Sequence, residues 1–205
     1  RFGCWICTMV KEDKSLKSFI DQGADWLTPL RDFRNWLLVL RTTPSAREYK
    51  RRNGSMYRKL DGELGQGPFT METRKEILKR LLLLEKETGL QLITQEELKQ
   101  IDEMWDSDGD LSRRSLVELY YSIIGSRLPW DEYKSPIFSE EIINEVKTMC
   151  KEHEVDFELI SKLIVEIDAN KNYTKSSMVT KAFDKIINQG WLHFENIERG
   201  LKNEN

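Results

Sequence analysis

Two cysteines near the start of the chain are the residues whose spacing most directly indicates chemistry. Cys4 and Cys7 are separated only by Trp5 and Ile6, and a Cys-x-x-Cys turn brings two thiolates close enough to share one metal centre. Three chemistries fit this spacing: half of an iron–sulfur site, part of a zinc site, or a redox-active thiol pair. The two thiols could also be small buried hydrophobic groups. The spacing alone does not separate these interpretations.

Few other residues could complete such a site. Zinc needs two further ligands, and the available side chains, Cys150, His153 and His193, lie more than 140 residues away. A thioredoxin-like pair should follow a strand and open a helix, and nothing here supplies that sheet. An iron–sulfur site needs two more cysteines, which we expect outside this sequence. We assign no chemistry to His153 or His193, and Cys150 is predicted to be a core residue.

A basic run between residues 41 and 59 is the second candidate site. Glu48 is the one acidic residue of this run. Its cations are Arg41, Arg47, Lys50, Arg51, Arg52, Arg58 and Lys59. Guanidinium groups match phosphate oxygens in geometry, and Asn53-Gly54 could turn backbone N–H groups toward the same anion. The predicted phosphate contacts, to DNA or to a nucleotide, are Arg47, Lys50, Arg51, Arg52 and Asn53. The alternative is a solvated basic loop.

The charge is distributed unevenly along the 205 residues. The net charge is −3, yet residues 1–60 contain thirteen Lys and Arg against six Asp and Glu. This asymmetry indicates that the first part faces a phosphate-bearing partner and the acidic remainder does not. The absence of a long apolar run predicts a protein without a membrane span. Three cysteines in the chain favour a reducing compartment, so we expect a cytoplasmic location.

Hydrophobic periodicity predicts a mainly α-helical fold. Residues 1–14 show no such periodicity, and residues 46–70 are expected to form a long loop or irregular hairpin. Thr70 is the predicted N-cap of one helix, and Thr94-x-x-Glu97 is a capping box that opens the next. The helices are expected at about 15–20, 26–40, 71–88, from 95, 111–124, 140–152, 156–168 and 175–189.

The helical part offers further motifs that we interpret as structural. The apolar stripes Ile142, Val146, Met149 and Leu159, Leu163, Ile167 are predicted core faces. The acidic segments 106–110 and 168–172 lack the glycine and glutamate that a calcium loop requires, so we expect polar links between helices. Asp110 or Ser112 should cap the helix that follows. The expected domains are 1–70 and 71–205, with a possible subdivision near 126–136.

Residues 1–16, Arg-Phe-Gly-Cys-Trp-Ile-Cys-Thr-Met-Val-Lys-Glu-Asp-Lys-Ser-Leu, closely resemble the cluster-binding segment of the DndC family of DNA phosphorothioation proteins. That family is similar to the phosphoadenylylsulfate reductases. The resemblance continues through Trp26-Leu27-x-Pro29-Leu30, Phe33-Arg34-Asn35, Tyr49 to Gly54, Gly67 to Thr70 and Arg74 to Leu78. It thins beyond about residue 85, and the last third resembles no family.

The resemblance implies that Cys4 and Cys7 are ligands of a 4Fe-4S cluster whose two other ligands lie outside this chain. It also implies an α/β ATP-pyrophosphatase (reductase-like) domain, mostly absent here, of which residues 1–70 would be the end. Because the sequence starts at Arg1 without Met, we expect a piece of a longer protein. The family's phosphate loop does not occur, so this piece alone should be inactive, with ATP bound by the full-length protein.

The expected function is therefore participation in DNA phosphorothioation, the ATP-dependent incorporation of sulfur into the DNA backbone. The implied partners are DNA, a cysteine desulfurase and other DNA sulfur-modification proteins. One alternative is a phosphoadenylylsulfate reductase-like enzyme or another sulfurtransferase that acts on a small sulfur donor. A second alternative is a non-catalytic helical interaction module in which Cys4 and Cys7 bind structural zinc.

Overall fold

The computed structural model describes residues 5–49, 58–60, 62, 64–171, 180–184 and 186–187. Helices dominate this part of the chain, which confirms the mainly α prediction. The α-helices are α1 (Lys14–Asp21), α2 (Thr28–Leu40), α3 (Met71–Thr88), α4 (Gln95–Ser107), α5 (Ser115–Ile124), α6 (Glu140–Glu152) and α7 (Phe157–Asn170). Residues 180–184 and 186–187 are also helical, within the range predicted for the last helix.

Helices α3 and α4 begin where their capping residues predict. The Thr70 hydroxyl accepts the amide N–H of Thr73 at 3.2 Å, and Gly89 ends α3 with a φ of 69°. In α4, the Thr94 hydroxyl accepts the Glu97 N–H at 3.2 Å, and the Glu97 carboxylate accepts the Thr94 N–H at 2.8 Å. These contacts satisfy amide groups that a helix terminus leaves free.

Three helices start at residues that differ from the predictions. Asp13 caps α1 by accepting the N–H of Leu16, so α1 begins at Lys14, one residue before the predicted start. Helix α2 begins at Thr28, after a short 3-10 turn, because Pro29 suits the first turn of a helix. Trp26, at the start of the predicted helix, therefore precedes α2 and is 60% exposed.

Helix α5 starts at Ser115 rather than Leu111. Arg113 has a φ of 52°, which is incompatible with a right-handed helix. The N-cap is Arg114, whose side chain makes no capping hydrogen bond, so the predicted cap at Asp110 or Ser112 was wrong. The Asp110 carboxylate nevertheless accepts the Ser115 N–H at 3.0 Å and the Ser112 hydroxyl at 2.7 Å, and it thereby gives the first amide of the helix a partner.

The last two helices bury faces that differ from the predicted stripes. In α6 the buried residues are Ile143 and Cys150, whereas Ile142 and Met149 are exposed, Met149 at 58%. In α7, Ile167 is exposed too. Of the acidic segment 168–172, residues 168–170 belong to α7 and not to a link between helices, and residue 172 lies outside the described residues. In α6, apolar residues occupy two neighbouring stripes of the helix surface, so hydrophobic periodicity did not identify which face is buried.

Two hydrophobic clusters stabilise the fold, and α3 contributes to both. The larger cluster joins α3, α4 and α5 and contains Leu78, Leu82, Ile93, Leu98, Trp105, Leu116, Val117, Ile123 and Leu128. The smaller joins α2 to α3 through Leu30, Phe33 and Leu84. Leu81 packs against both clusters. Helix α3 therefore connects the part of the chain that carries the cysteine segment to the helices that follow.

Ion pairs that involve the buried carboxylates of Asp131 and Asp102 fix the segment between α5 and α6. The Asp131 carboxylate accepts Arg114 Nη2 at 2.7 Å and Arg127 Nη1 at 2.6 Å. The Lys134 ammonium lies 2.7 Å from the carboxylates of both Asp102 and Asp106. These contacts attach the segment to α4 and α5. No described helix has the length and apolar character required to cross a membrane.

Candidate cysteine site and basic segment

Cys7 is a half-buried free thiol that lies just before α1. The neighbouring Trp5 packs against Phe33 of α2, with 5.9 Å between ring centroids, and Phe33 packs against Trp36 at 5.7 Å. Aromatic pairs at such distances stabilise packing beyond their buried area. This aromatic row attaches the cysteine turn to α2. Cys4, the other thiol of the predicted pair, lies outside the described residues.

The main chain that follows Cys7 curls around the side chain of Arg34. Arg34 is 0% exposed, and its Nε donates to the carbonyl oxygen of Cys7 at 3.1 Å. Its Nη1 donates to the carbonyl of Lys11 at 2.9 Å and to the side-chain oxygen of Asn35 at 3.0 Å, while Nη2 donates to the carbonyl of Val10. These four acceptors are neutral oxygens, and within the described part of the chain no carboxylate forms an ion pair with Arg34.

Arg41 provides a second attachment for the same segment. Its Nη1 donates to the carbonyl oxygen of Thr8 at 2.6 Å. Arg34 and Arg41 are seven positions apart, which places them on one face of α2, two turns from each other. Together, the two arginines bind four of the five carbonyl groups of residues 7–11, a segment that we call the clamped segment.

The described residues do not form a complete metal site. Among them, no group of three or more His, Cys, Asp and Glu side chains could hold a metal ion. Cys150 is buried in α6, as predicted, and burial together with the nearby charge of Asp156 raises the pKa of its thiol. Cys150 therefore has the environment of a core residue. His153 follows α6 as its C-cap, and His193 lies outside the described residues.

Arg47 is the one predicted phosphate contact that the described residues include. It forms an isolated antiparallel bridge with Phe69, and its guanidinium lies 4.4 Å from the centroid of the Phe69 ring. The Nε of Arg47 is buried and has no hydrogen-bond acceptor. Burial, together with the positive charge of Arg41, lowers the pKa of Arg47. An anion at this position would relieve both unfavourable effects.

The other predicted phosphate contacts, Lys50, Arg51, Arg52 and Asn53, lie outside the described residues. On either side of them, the chain forms the bridges Arg47–Phe69 and Arg58–Leu64. The described residues after the 3-10 turn Pro44–Ala46 contain no helix before α3. This part of the prediction for residues 46–70, an irregular hairpin, is confirmed where the structure describes it.

The sequence-based prediction missed Arg34, and it placed Arg41 in the basic run without its contact to the segment that follows Cys7. Arg34 follows the buried Leu30 by four positions and Phe33 by one, so it lies on the apolar face of α2. An arginine on such a face needs buried acceptors, and this was the available signal. The acceptors themselves lie 23 to 33 residues earlier in the chain, where periodicity carries no information about them.

A separate cleft of about 450 Å³ lies among the N-terminal ends of α3, α5, α6 and α7. Acidic side chains line it, including Glu72, Asp110 and Glu140, and Lys75 donates to the Ser115 hydroxyl at 3.0 Å within it. Carboxylates in the first turn are favourable partners of helix N-termini, so this lining has a structural explanation. The clamped segment and Arg47 remain the candidate site. No family model, no curated protein and no solved structure matches the chain.

Proposed function

We propose that this chain is part of an iron–sulfur protein of DNA phosphorothioation in which Cys4 and Cys7 bind a 4Fe-4S cluster. The observation that carries the proposal is the Cys4-Trp5-Ile6-Cys7 turn within residues 1–16, which resemble the cluster-binding segment of the DndC family. Two further ligands would come from outside this sequence. An ATP-pyrophosphatase domain of the full-length protein would bind the nucleotide.

The surroundings of Cys7 support a cluster ligand. The aromatic row of Trp5, Phe33 and Trp36 provides apolar surroundings close to Cys7 in the chain, and an apolar shell is one of the factors that sets the properties of a cluster. The guanidinium groups of Arg34 and Arg41 place positive charge beside the segment, which suits an anionic cluster. When bound, the cluster would supply redox chemistry to the transfer of sulfur.

The basic segment would contact the phosphate group that receives the sulfur. Arg47 has no carboxylate partner among the described residues and carries an unsatisfied donor. Its guanidinium fork can bind two phosphate oxygens at once. Lys50, Arg51, Arg52 and Asn53 are proposed to extend this contact along the backbone of DNA.

The first test measures metal in the full-length protein, purified without oxygen. We expect about four iron atoms and four sulfides per protein and a broad absorption at about 400 nm. The substitutions Cys4→Ser and Cys7→Ser should each abolish most of the iron, whereas Cys150→Ser should not, because Cys150 is buried in α6. A colourless protein with one zinc ion would instead identify a zinc-stabilised interaction module.

The second test identifies the acceptor of the sulfur. Cells that contain the intact gene are expected to incorporate isotopically labelled sulfur into their DNA, where it is detected after the DNA is purified. Cells with the Cys7→Ser gene are expected to contain no labelled DNA. Label that appears only in a small sulfur compound, with none in DNA, would contradict phosphorothioation. That result would indicate a reductase or sulfurtransferase that acts on a small donor.

A further inference from the structure

The clamped segment is built around a cation that the fold isolates from solvent. Burying an arginine is unfavourable unless its donors find acceptors. The guanidinium has five N–H groups, and Arg34 makes four hydrogen bonds, three of them to the carbonyls of Cys7, Val10 and Lys11. The main chain of this segment is therefore the principal partner of the buried charge.

The planar geometry of the guanidinium constrains the shape of the segment. Its N–H groups point in fixed directions within one plane, so the carbonyls of residues 7, 10 and 11 must converge on that plane. Arg41 fixes the intervening Thr8 carbonyl at 2.6 Å. A lysine at position 34 could not substitute, because its single ammonium cannot reach three separate carbonyls in this arrangement.

We infer that Arg34 is a positioning residue that holds Cys7 in place before any metal binds, with Arg41 as a second anchor. The contacts that define the segment join it to Arg34 in α2 and to Arg41 directly after α2, and none of them passes through a cluster. Preorganisation of this kind lowers the cost of ordering ligands when a metal binds. The relevance of Cys7 to sulfur chemistry rests on the proposed function, but the clamp itself does not.

The test measures the rate at which Cys7 reacts with iodoacetamide in the metal-free 205-residue chain. A Cys4→Ser background leaves Cys7 and Cys150 as the two thiols, and mass spectrometry follows each separately. Arg34→Ala should accelerate alkylation of Cys7 about tenfold, because the lost hydrogen bonds allow the segment to open locally. Cys150 lies in α6, distant in the chain from the clamp, and its rate should remain unchanged.

Chemical rescue separates positioning from a general loss of stability. Millimolar guanidinium, which can occupy the space of the deleted side chain, should restore slow alkylation of Cys7 in Arg34→Ala, and methylammonium at the same concentration should not. Arg34→Lys should show the same fast alkylation of Cys7 as Arg34→Ala shows when no guanidinium is added. Arg31→Ala is the matched control on the same helix, since Arg31 is partly exposed and, among the described residues, forms its ion pair with Asp32.

Two outcomes would overturn the inference. An unchanged Cys7 rate in both Arg34 variants would show that the clamp does not hold the thiol. Equal acceleration of Cys7 and Cys150, including the case in which a variant fails to fold, would show that Arg34 supports the whole fold instead of this segment. Iron is absent from the experiment, so an iron-free native protein would contradict the proposed function and leave the clamp intact.

Discussion

Arg47, a predicted phosphate contact, has an electrostatic environment that favours the binding of an anion. The guanidinium stacks on Phe69 at 4.4 Å, and its charge is opposed by burial and by Arg41, both of which lower its pKa. Arginine nevertheless stays protonated at neutral pH. A cation that keeps its charge in an unfavourable electrostatic environment gains more from binding an anion than a fully solvated cation does.

Arg47→Gln should weaken binding of the protein to DNA. Because one phosphate contact would be lost, the slope of log affinity against log salt concentration should fall by about one, and the loss should be similar for all DNA sequences. Fluorescence anisotropy with a labelled duplex at several salt concentrations measures both quantities. Arg31→Gln removes a cation that already pairs with Asp32 and should change the slope much less. An unchanged slope in Arg47→Gln would exclude this contact.

The sequence predicted the candidate site only in part. Cys4 and Cys7 follow from their spacing, and Arg47 follows from the density of cations around it. The contacts of Arg34 and Arg41 with the clamped segment could not be predicted, since they depend on how α2 packs against residues that precede α1. Long-range contacts of this kind leave no periodic pattern in the sequence, although an arginine on an apolar face indicates that such contacts exist.

At the scale of the helices, the close approach of the α4–α5 turn to α7 depends on one glycine. A Cβ atom at Gly109 would lie 2.6 Å from the Oγ and 3.3 Å from the Cβ of Ser161. Ser161 is buried, and its hydroxyl donates to the carbonyl of Glu158 at 3.0 Å. The φ of Gly109 is also +112°, a conformation that residues with a side chain rarely adopt.

Gly109→Ala should lower the free energy of unfolding by about 3 kcal/mol, the sum of backbone strain and a steric clash. Gly125→Ala is the matched control, because Gly125 has a φ of +82° with no atom within 4 Å of the added Cβ, and it should cost about 1 kcal/mol. Urea unfolding measures both values.

Ser161→Ala tests whether the steric clash causes the loss of stability expected for Gly109→Ala. Combined with Gly109→Ala, it should recover part of the stability by removing the Oγ that the new methyl group would meet. Strict additivity of the two substitutions would show that the clash does not contribute.

The helix boundaries illustrate which elements a sequence can predict. The capping residues Thr70, Gly89 and Thr94 bind backbone groups of their own helices, so their signals are local, and the termini that they mark were predicted correctly. The predicted start of α5 was wrong because the true start depends on the positive φ of Arg113. The buried face of α6 was wrong because the choice between two apolar stripes depends on neighbouring helices.

At the scale of the whole molecule, the ionisation of Asp131 makes the stability of the folded protein depend on pH. Its side chain is 4% exposed. Burial acts to raise its pKa, but hydrogen bonds and charges of Arg127 and Arg114 outweigh burial, so the pKa lies below its ordinary value. A carboxyl group with a depressed pKa in the folded state stabilises the protein above the unfolded-state pKa of about 3.9, and this contribution disappears as the pH falls through the folded-state value.

Asp131→Asn should therefore destabilise the protein by about 2 kcal/mol at pH 7, because two arginines lose a charged hydrogen-bond partner. The difference between the variant and the original chain should begin to shrink below a pH of about 3.9, where the unfolded chain takes up a proton at this carboxyl group. It should continue to shrink until Asp131 is protonated in the folded state, at a lower pH. Urea unfolding at pH 7 and at pH 3 measures the change. Glu132→Gln, at the exposed neighbouring position, should have little effect at either pH. An equal difference at both pH values would contradict this role of Asp131.

Helix α3 packs on both hydrophobic clusters, and this arrangement has a consequence for local unfolding. Detachment of α2 would still leave one face of α3 covered by α4 and α5, and loosening of α5 would still leave the other face covered by α2. The amide protons in the middle of α3 should therefore exchange with deuterated solvent only when the entire protein opens. The amide protons of α1, α6 and α7 should exchange through smaller openings. Mass spectrometry of peptic fragments should therefore show slower exchange in α3 than in these three helices.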